Sequence, residues 1–277
     1  MSDYLKKSKS YKGYHYSQLS EESLRYLHQR TLEMFMSVKK VFDENNIKYM
    51  ICGGTLLGAC PGGEANGKFI PWDDDFDVCI FEEDYERARD LLINDLASSM
   101  VLHCSKTDEH YYHGWMKVKD KKSHVYPDDP TLKYNGVWID LYMLKKVKKN
   151  EVNYLIVKEH FDYLKRRLSV GGITEEEFQK RIDENDLIRK IDREKAALSE
   201  FNNNGYVYLI WSASKISLEE EWVLPLQSLT LEGVEMTTFN QYEKYLLQHY
   251  GNDFRKFPPE SMRRVSINRV EIEQKKD

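Results

Sequence analysis

Four aspartates in five positions, threaded by apolar residues, constrain this chain more than any other stretch: Phe69-Ile70-Pro71-Trp72-Asp73-Asp74-Asp75-Phe76-Asp77-Val78-Cys79-Ile80-Phe81. A solvated face would not interleave its carboxylates with Trp72, Phe76, Val78 and Ile80. Read as a strand, residues two apart share a face, so Asp73, Asp75 and Asp77 project one way while Phe76, Val78 and Ile80, with Asp74, project the other. The apolar face belongs in a core. The acidic face then holds three negative charges spaced by roughly 7 Å per two residues. Such charges repel and raise one another's pKa unless a cation sits between them. An all-oxygen, thiol-free set suits Mg²⁺ or Mn²⁺ better than zinc.

Upstream, Lys48-Tyr49-Met50-Ile51-Cys52 reads as a short buried strand running into Gly53-Gly54-Thr55. The glycines permit positive φ and close backbone approach, and Thr55 is placed to cap the helix that Leu56 and Leu57 begin. A turn of this kind offers backbone N–H groups to a phosphate. Gly-Gly alone more often marks an ordinary tight turn; its position about twenty residues before an Asp-x-Asp strand is what makes it informative.

Gly53-Gly54-Thr55-Leu56-Leu57-Gly58-Ala59, taken with Ile70-Pro71-Trp72-Asp73-Asp74-Asp75-Phe76-Asp77-Val78, resembles the signature of the LicD family, which includes the fukutin-related proteins. The resemblance spans about residues 30 to 260 and is tightest over 53 to 81. It implies a nucleotidyltransferase-like fold and transfer of phosphocholine from CDP-choline, or of a sugar or polyol phosphate such as ribitol phosphate, to a glycan. One departure stands out. Where relatives run Gly-Ala-x-Arg-His-Gly, this chain has the longer Cys60-Pro61-Gly62-Gly63-Glu64-Ala65-Asn66-Gly67-Lys68, without that arginine, so Lys68 is only a partial substitute, lacking a planar fork.

A second informative stretch is Gly136-Val137-Trp138-Ile139-Asp140-Leu141-Tyr142-Met143-Leu144. Asp140 is the single carboxylate of an apolar run, and burying it unpaired would cost at least several kcal/mol, so it needs a metal or another cation. The resemblance implies the metal: Asp140 corresponds to the Ile-Asp strand that supplies a third carboxylate. The expected site thus has Asp75, Asp77 and Asp140 holding two Mg²⁺ or Mn²⁺ ions, with Asp140 also the candidate base for the incoming hydroxyl. Gly53, Gly54, Thr55 and Asp74 are the candidate phosphate- and substrate-binding set, joined by Lys117. From the tail that closes the domain in relatives, Arg263 or Arg264 is the candidate to reach phosphate, and Arg263 is assigned.

With 277 residues, 41% hydrophobic and 31% charged, the chain has the means to fold as a globular protein, and its net charge of −5 gives no electrostatic footprint for nucleic acid. No stretch approaches about 18 consecutive apolar residues and the lysine-rich start lacks the apolar centre of a signal peptide. The expectation is a cytoplasmic protein, with peripheral association to a membrane if the acceptor is a glycolipid. Cys52, Cys60, Cys79 and Cys104 form no Cys-x-x-Cys pair and read as free, mostly buried thiols.

In order, residues 1–19 read as a loosely ordered arm, 20–264 as one catalytic domain and 265–277 as a charged tail. The periodicity predicts a helix from Ser20 to Asn45, another over about Glu83–Leu96, strands at Val101–Cys104 and Tyr111–Lys119, helices after Glu151 and Thr174, a β-rich segment 205–212, strands at Trp222–Gln227 and Leu229–Met236, and a final helix ending before Gly251. On the strand 111–119, His110 and His113 would face opposite sides and make poor metal partners. The fold class is α/β (α+β), a nucleotidyltransferase-like mixed sheet flanked by helices, with C-terminal helical additions. A quaternary ammonium offers no hydrogen bond and is held by aromatic faces, at about 0.5–2 kcal/mol each; Trp115, Trp138 and Trp211 are the candidates. Two rivals share these features: nucleotidyl transfer on the same fold, and a non-catalytic, metal-dependent glycan- or phosphocholine-binding module, which would have no need of Asp140.

Overall fold

The computed structural model describes residues 13–198, 205–211 and 216–272. Residues 1–12 of the N-terminal arm, Ser212 at the end of the expected β-rich segment and residues 273–277 of the tail lie outside the described residues. The chain opens on β1 (Tyr14–His15) and then α1 (Glu21–Glu44). Helix α1 forms as its pattern dictates: the Ser20 side chain accepts from the Ser23 amide, Glu21 and Glu22 sit at the positive end of the dipole, and Leu27, Met34, Phe35, Val38 and Phe42 are buried. There follow β2 (Tyr49–Ile51), α2 (Gly53–Ala59), β3 (Asp77–Phe81), α3 (Glu82–Asp95), β4 (Met100–His103), β5 (Met116–Asp120), β6 (Ser123–Tyr126) and β7 (Trp138–Lys148).

The main sheet runs β2-β3-β7-β5-β4. Only β3 and β7 in this run are parallel, so the sheet is mixed. Strand β7 is long enough to pair with β5 through residues 138–141 and then, through 144–148, with β8 (Tyr206–Ile210), which is followed by β9 (Ser217–Glu219). The register sets Asp77 opposite Asp140 and Lys117 opposite the same Asp140, putting the three side chains on one face. Helix α1 covers the other face. Its Phe35 packs edge-on against Tyr49, which pairs with Ile80, three residues from Asp77 and therefore across the sheet from it.

Between β7 and β8 stand the helical additions α4 (Val152–Ser169), α5 (Glu175–Glu184) and α6 (Leu187–Ala197), with a small core of their own at Leu164, Ile173, Ile182 and Leu187. The rest of the chain supplies α7 (Glu220–Val223), the hairpin β10 (Gln227–Leu231) and β11 (Val234–Thr238), α8 (Tyr242–Tyr250), β12 (Arg264–Val265) and β13 (Arg269–Ile272). Helix α8 stops at Gly251, which takes φ 87°. All four cysteines are free and buried. Among the described residues no helix is long and apolar enough to cross a membrane.

Several expectations are corrected. The acidic strand begins at Asp77; residues 71–76 are turn and coil, with the Asp73 amide donating to the Ile70 carbonyl at 2.9 Å. Pro71, which has no N–H to give a ladder, is the second residue of that turn. The strand expected over 111–119 starts only at Met116, because Tyr111 turns back to donate its hydroxyl to the Trp115 carbonyl, and β6 went unseen. Trp222 lies in a short helix rather than a strand. Residues 14–19 are not loose: Tyr14 and His15 pair with Val265 and Arg264, and Leu19 is buried.

Candidate active site

The glycine turn and Asp77 form one unit. Gly53 takes φ +53°, and a Cβ there would overlap the Asp77 carboxylate. The Gly54 amide donates to Asp77 Oδ2 at 3.2 Å, and the Asp77 amide donates to Thr55 Oγ1 at 2.8 Å. A Cβ on Gly54 would come within 2.7 Å of Asp73 Oδ2. Glycine is therefore needed at both positions so that the backbone can meet the acidic segment. Thr55 does not cap the helix as its sequence suggests. It lies within α2, buried, and fixes the start of β3. Gly53 in turn donates its amide to the hydroxyl of Tyr245, 3.0 Å away on α8. The sequence offered no local signal for that contact, which joins residues 192 positions apart.

Asp140 has a cation, and it is a protein one. Lys117 Nζ and Trp115 Nε1 both donate to Asp140 Oδ1, and Trp138 Nε1 donates to Oδ2 at 2.8 Å. The expectation that a buried Asp140 must be paired therefore holds with Lys117 as the partner, and Lys117 serves a carboxylate rather than standing free for phosphate. This corrects the aromatic assignments too. Trp138 is buried, and the ammonium groups of Lys117 and Lys119 already lie over its ring at 5.0 and 4.7 Å. Its face is taken. Trp115 also has Lys117 over its ring, at 5.4 Å, and packs against His113 and Tyr142. Trp211 is not brought to the carboxylates; it packs on the cluster of Val147, Val207 and Leu209 beneath Lys145. Lys119 was missed by sequence reasoning: buried, donating to the Gly136 carbonyl at 3.2 Å, its pKa is pushed down to about 7 by burial and by the charge of Lys117.

Carboxylate oxygens of Asp75, Asp77 and Asp140 lie within 4.8 Å of one another, and those of Asp73, Asp74 and Asp75 form a second such group. Burial, and then the Asp140 charge, raise Asp75 to about 7, against a small opposing effect of Lys117. Burial and the Asp75 and Asp140 charges push Asp77 well up, and Asp73 moves the same way. Asp73 Oδ2 is buried with no hydrogen-bond partner. A cluster of five carboxylates in which, among the described residues, Lys117 is the lysine bonded to one of them and Asp73 carries an orphaned oxygen fits a hard divalent cation such as Mg²⁺ or Mn²⁺.

An acid raised in the folded state contributes stability that is fully present below its ordinary range near 4 and is lost as pH rises through about 7. A divalent ion must displace that proton. The gain in melting temperature on adding Mg²⁺ is therefore expected to be small at pH 5.5 and to grow through pH 7 to 8. Equal gains at both ends of that range would contradict the site.

Beside the acidic turn opens a cleft of ≈570 Å³, lined by Gly54, Asp73–Asp75, Tyr250, Lys256, Phe257 and Arg264 among others. Three sequence assignments change here. Asp74 is buried, and its Oδ2 accepts the Ser266 and Ile267 amides at 2.6 and 3.0 Å, so it ties the C-terminal segment to the acidic turn rather than meeting substrate. Arg263 stacks its guanidinium over Trp72 at 4.3 Å and donates to the Pro258 carbonyl, while its neighbour Arg264 lines the cleft. Lys68 is exposed and does not line the cleft. Of the tail residues that line the cleft, Arg264 was named beside Arg263, while Tyr250, Lys256 and Phe257 were missed because nothing in their own sequence points to a site. The helix stop at Tyr250-Gly251 and the Pro258-Pro259 pair were the available signals, and they marked only where the chain turns.

The mixed sheet thus sets carboxylates from adjacent parallel strands against a glycine turn. Residues 46–170 match the family described as LicD/FKTN/FKRP, nucleotidyltransferase domain. The glycine turn, the acidic segment, Lys117 and Asp140 fall inside that match; Trp211, Lys256, Arg263 and Arg264 fall outside it. The chain is also similar to the lipopolysaccharide cholinephosphotransferase LicD of Haemophilus influenzae, at 24% identity over 235 residues covering 77% of this chain and 84% of the relative.

Proposed function

We propose that this protein is a divalent-metal-dependent phosphotransferase that moves a phospho-substituent, phosphocholine from CDP-choline in the first instance, onto a hydroxyl of a glycan or glycolipid. The match to the LicD family and the similarity to a cholinephosphotransferase support a phosphotransferase-type function. The observation that carries the reading is the convergence of Asp75, Asp77 and Asp140 oxygens within 4.8 Å, against a turn that holds Asp77 in place.

Asp75, Asp77 and Asp140 would hold Mg²⁺ or Mn²⁺, two ions if the group around Asp73 and Asp74 shares Asp75, and the metal would offset charge on the transferred phosphoryl group and acidify the acceptor hydroxyl. Gly53 and Thr55 keep Asp77 at the start of β3. Lys117, Trp115 and Trp138 fix both oxygens of Asp140. With three donors on its roughly four lone-pair positions, Asp140 keeps one for a metal and is suited to orientation and charge rather than to taking the hydroxyl proton.

A second reading, transfer of a sugar or polyol phosphate, is favoured by one observation: the Trp138 face expected to hold a quaternary ammonium already carries two lysines. A panel of CDP-choline, CDP-ribitol and other nucleotide-activated donors, followed by mass spectrometry, separates the two readings. Chelation by EDTA should stop turnover with every accepted donor, and Mg²⁺ or Mn²⁺ should restore it. Full activity in chelator would end the metal account, and failure of all donors would leave the binding-module alternative.

A further inference from the structure

Strand β2 stands at the end of the main sheet and, among the described residues, is paired with a strand on one side only. The polar backbone groups along its other edge are taken up by side-chain hydroxyls. Thr237 donates to the Tyr49 carbonyl, Thr238 donates to the Ile51 carbonyl at 3.0 Å, and the Tyr245 hydroxyl accepts the Gly53 amide at 3.0 Å. Alternate residues 49, 51 and 53 are thus each met by one hydroxyl, all supplied by β11 and α8. The first two close a sheet edge. The third falls on the turn that sets Asp77.

Both glycine amides of that turn are engaged by the protein, since Gly53 gives its own to Tyr245 and Gly54 gives its own to Asp77 Oδ2 at 3.2 Å. The turn therefore serves a carboxylate, where its sequence suggests a phosphate. Turn and carboxylate also move together: a Cβ on Gly53 would stand 2.1 Å from Asp77 Oδ2, and the Cys52 amide donates to the Asp77 carbonyl at 3.1 Å. Tyr245 is itself held by the core. It is 2% exposed, and its ring packs against Phe239 at 5.1 Å and stacks on His249 at 5.5 Å. A buried amide left without a partner is costly, so without the hydroxyl the turn must shift or admit water, and a shift carries Asp77 with it.

We propose that Tyr245 is a positioning residue for the divalent cation: its hydroxyl fixes the Gly53-Gly54 turn, and through it the Asp77 carboxylate, in the geometry the ion requires. The proposal rests on the metal-dependent reading above. Tyr245 lies outside the matched residues 46–170, so a residue of the C-terminal segment tunes a carboxylate that it does not touch.

The test is Mn²⁺ binding to the full-length protein, read by electron paramagnetic resonance of the free ion, in wild type, Tyr245→Phe and Thr238→Val. Both substitutions remove one hydroxyl from the same edge and keep the shape of the side chain, and each should lower the metal-free melting temperature by a few degrees. Tyr245→Phe should in addition weaken Mn²⁺ by about 10- to 100-fold, as loss of a partner behind a metal ligand does. Thr238→Val should bind Mn²⁺ as the wild type does. Coupling is reciprocal, so in the wild type saturating Mg²⁺ should slow hydrogen exchange at the Gly53 amide by a similar factor, a readout that needs no variant. Unchanged Mn²⁺ affinity in Tyr245→Phe, or an equal loss in Thr238→Val, would overturn the proposal and leave the metal reading standing. Should Tyr245→Phe fail to fold, the exchange decides, and a Gly53 amide indifferent to Mg²⁺ overturns the proposal. No Mn²⁺ binding by the wild type would instead remove the metal reading, and the proposal with it.

Discussion

Asp77→Asn is expected to lower phosphotransfer by about a thousandfold while leaving the protein folded, because loss of a metal carboxylate removes several kcal/mol of transition-state stabilisation. Asp77 meets the Gly54 amide through one oxygen and shares its other face with Asp75 and Asp140. Asparagine can keep the first contact and cannot replace the charge. The same loss is expected of Asp75→Asn; the Asp75 carboxylate accepts no backbone hydrogen bond among the described residues, which makes this the cleaner probe. Initial rates at saturating Mg²⁺, with melting temperatures for both variants, are the measurement; near-normal turnover in either would show that the acidic cluster is not the reacting centre.

The second large effect falls on stability. Asp140 alone in its sequence suggests that Asp140→Asn would relieve a crowded acidic cluster and raise the melting temperature of the metal-free protein. The structure reverses that expectation. Lys117 and two indole N–H groups converge on Asp140 in a buried setting, and removing the carboxylate strands a buried ammonium. Breaking a buried pair by deleting one partner costs about 3–5 kcal/mol, which for a chain of this size is on the order of 10 °C in melting temperature. Asp140→Ala should show this loss in metal-free protein, and Asp140→Leu combined with Lys117→Met should recover much of it, since no charge is then left unpaired. A rise in melting temperature for Asp140→Ala would restore the view that Asp140 is held for metal alone.

What the sequence could and could not reveal divides along the range of the interactions. Helix α1, the glycine turn and the strand carrying Asp77 were legible because caps, periodicity and alternation are local. Asp140 was legible as a buried charge in need of a partner. Its partner was not, because the choice between a metal and Lys117 depends on a strand register that pairs residues 23 positions apart. The tryptophans were misassigned for the same reason. An indole looks like a free aromatic face until it is known that its N–H serves Asp140 and that a lysine covers its ring. Asp74 and Arg263 were drawn toward substrate by their neighbourhood in sequence, and the fold uses both to fasten the C-terminal segment over the acidic turn.

The most direct test of the central claim is ³¹P NMR of the Mg²⁺-loaded protein supplied with CDP-choline and a hydroxyl-bearing glycan acceptor. Phosphotransfer predicts cytidine monophosphate growing in step with a new phosphodiester on the acceptor, and neither signal in the presence of EDTA or with Asp77→Asn. Transfer of the cytidylyl group to the acceptor with release of choline phosphate, or product formation that survives complete removal of divalent metal, would contradict it.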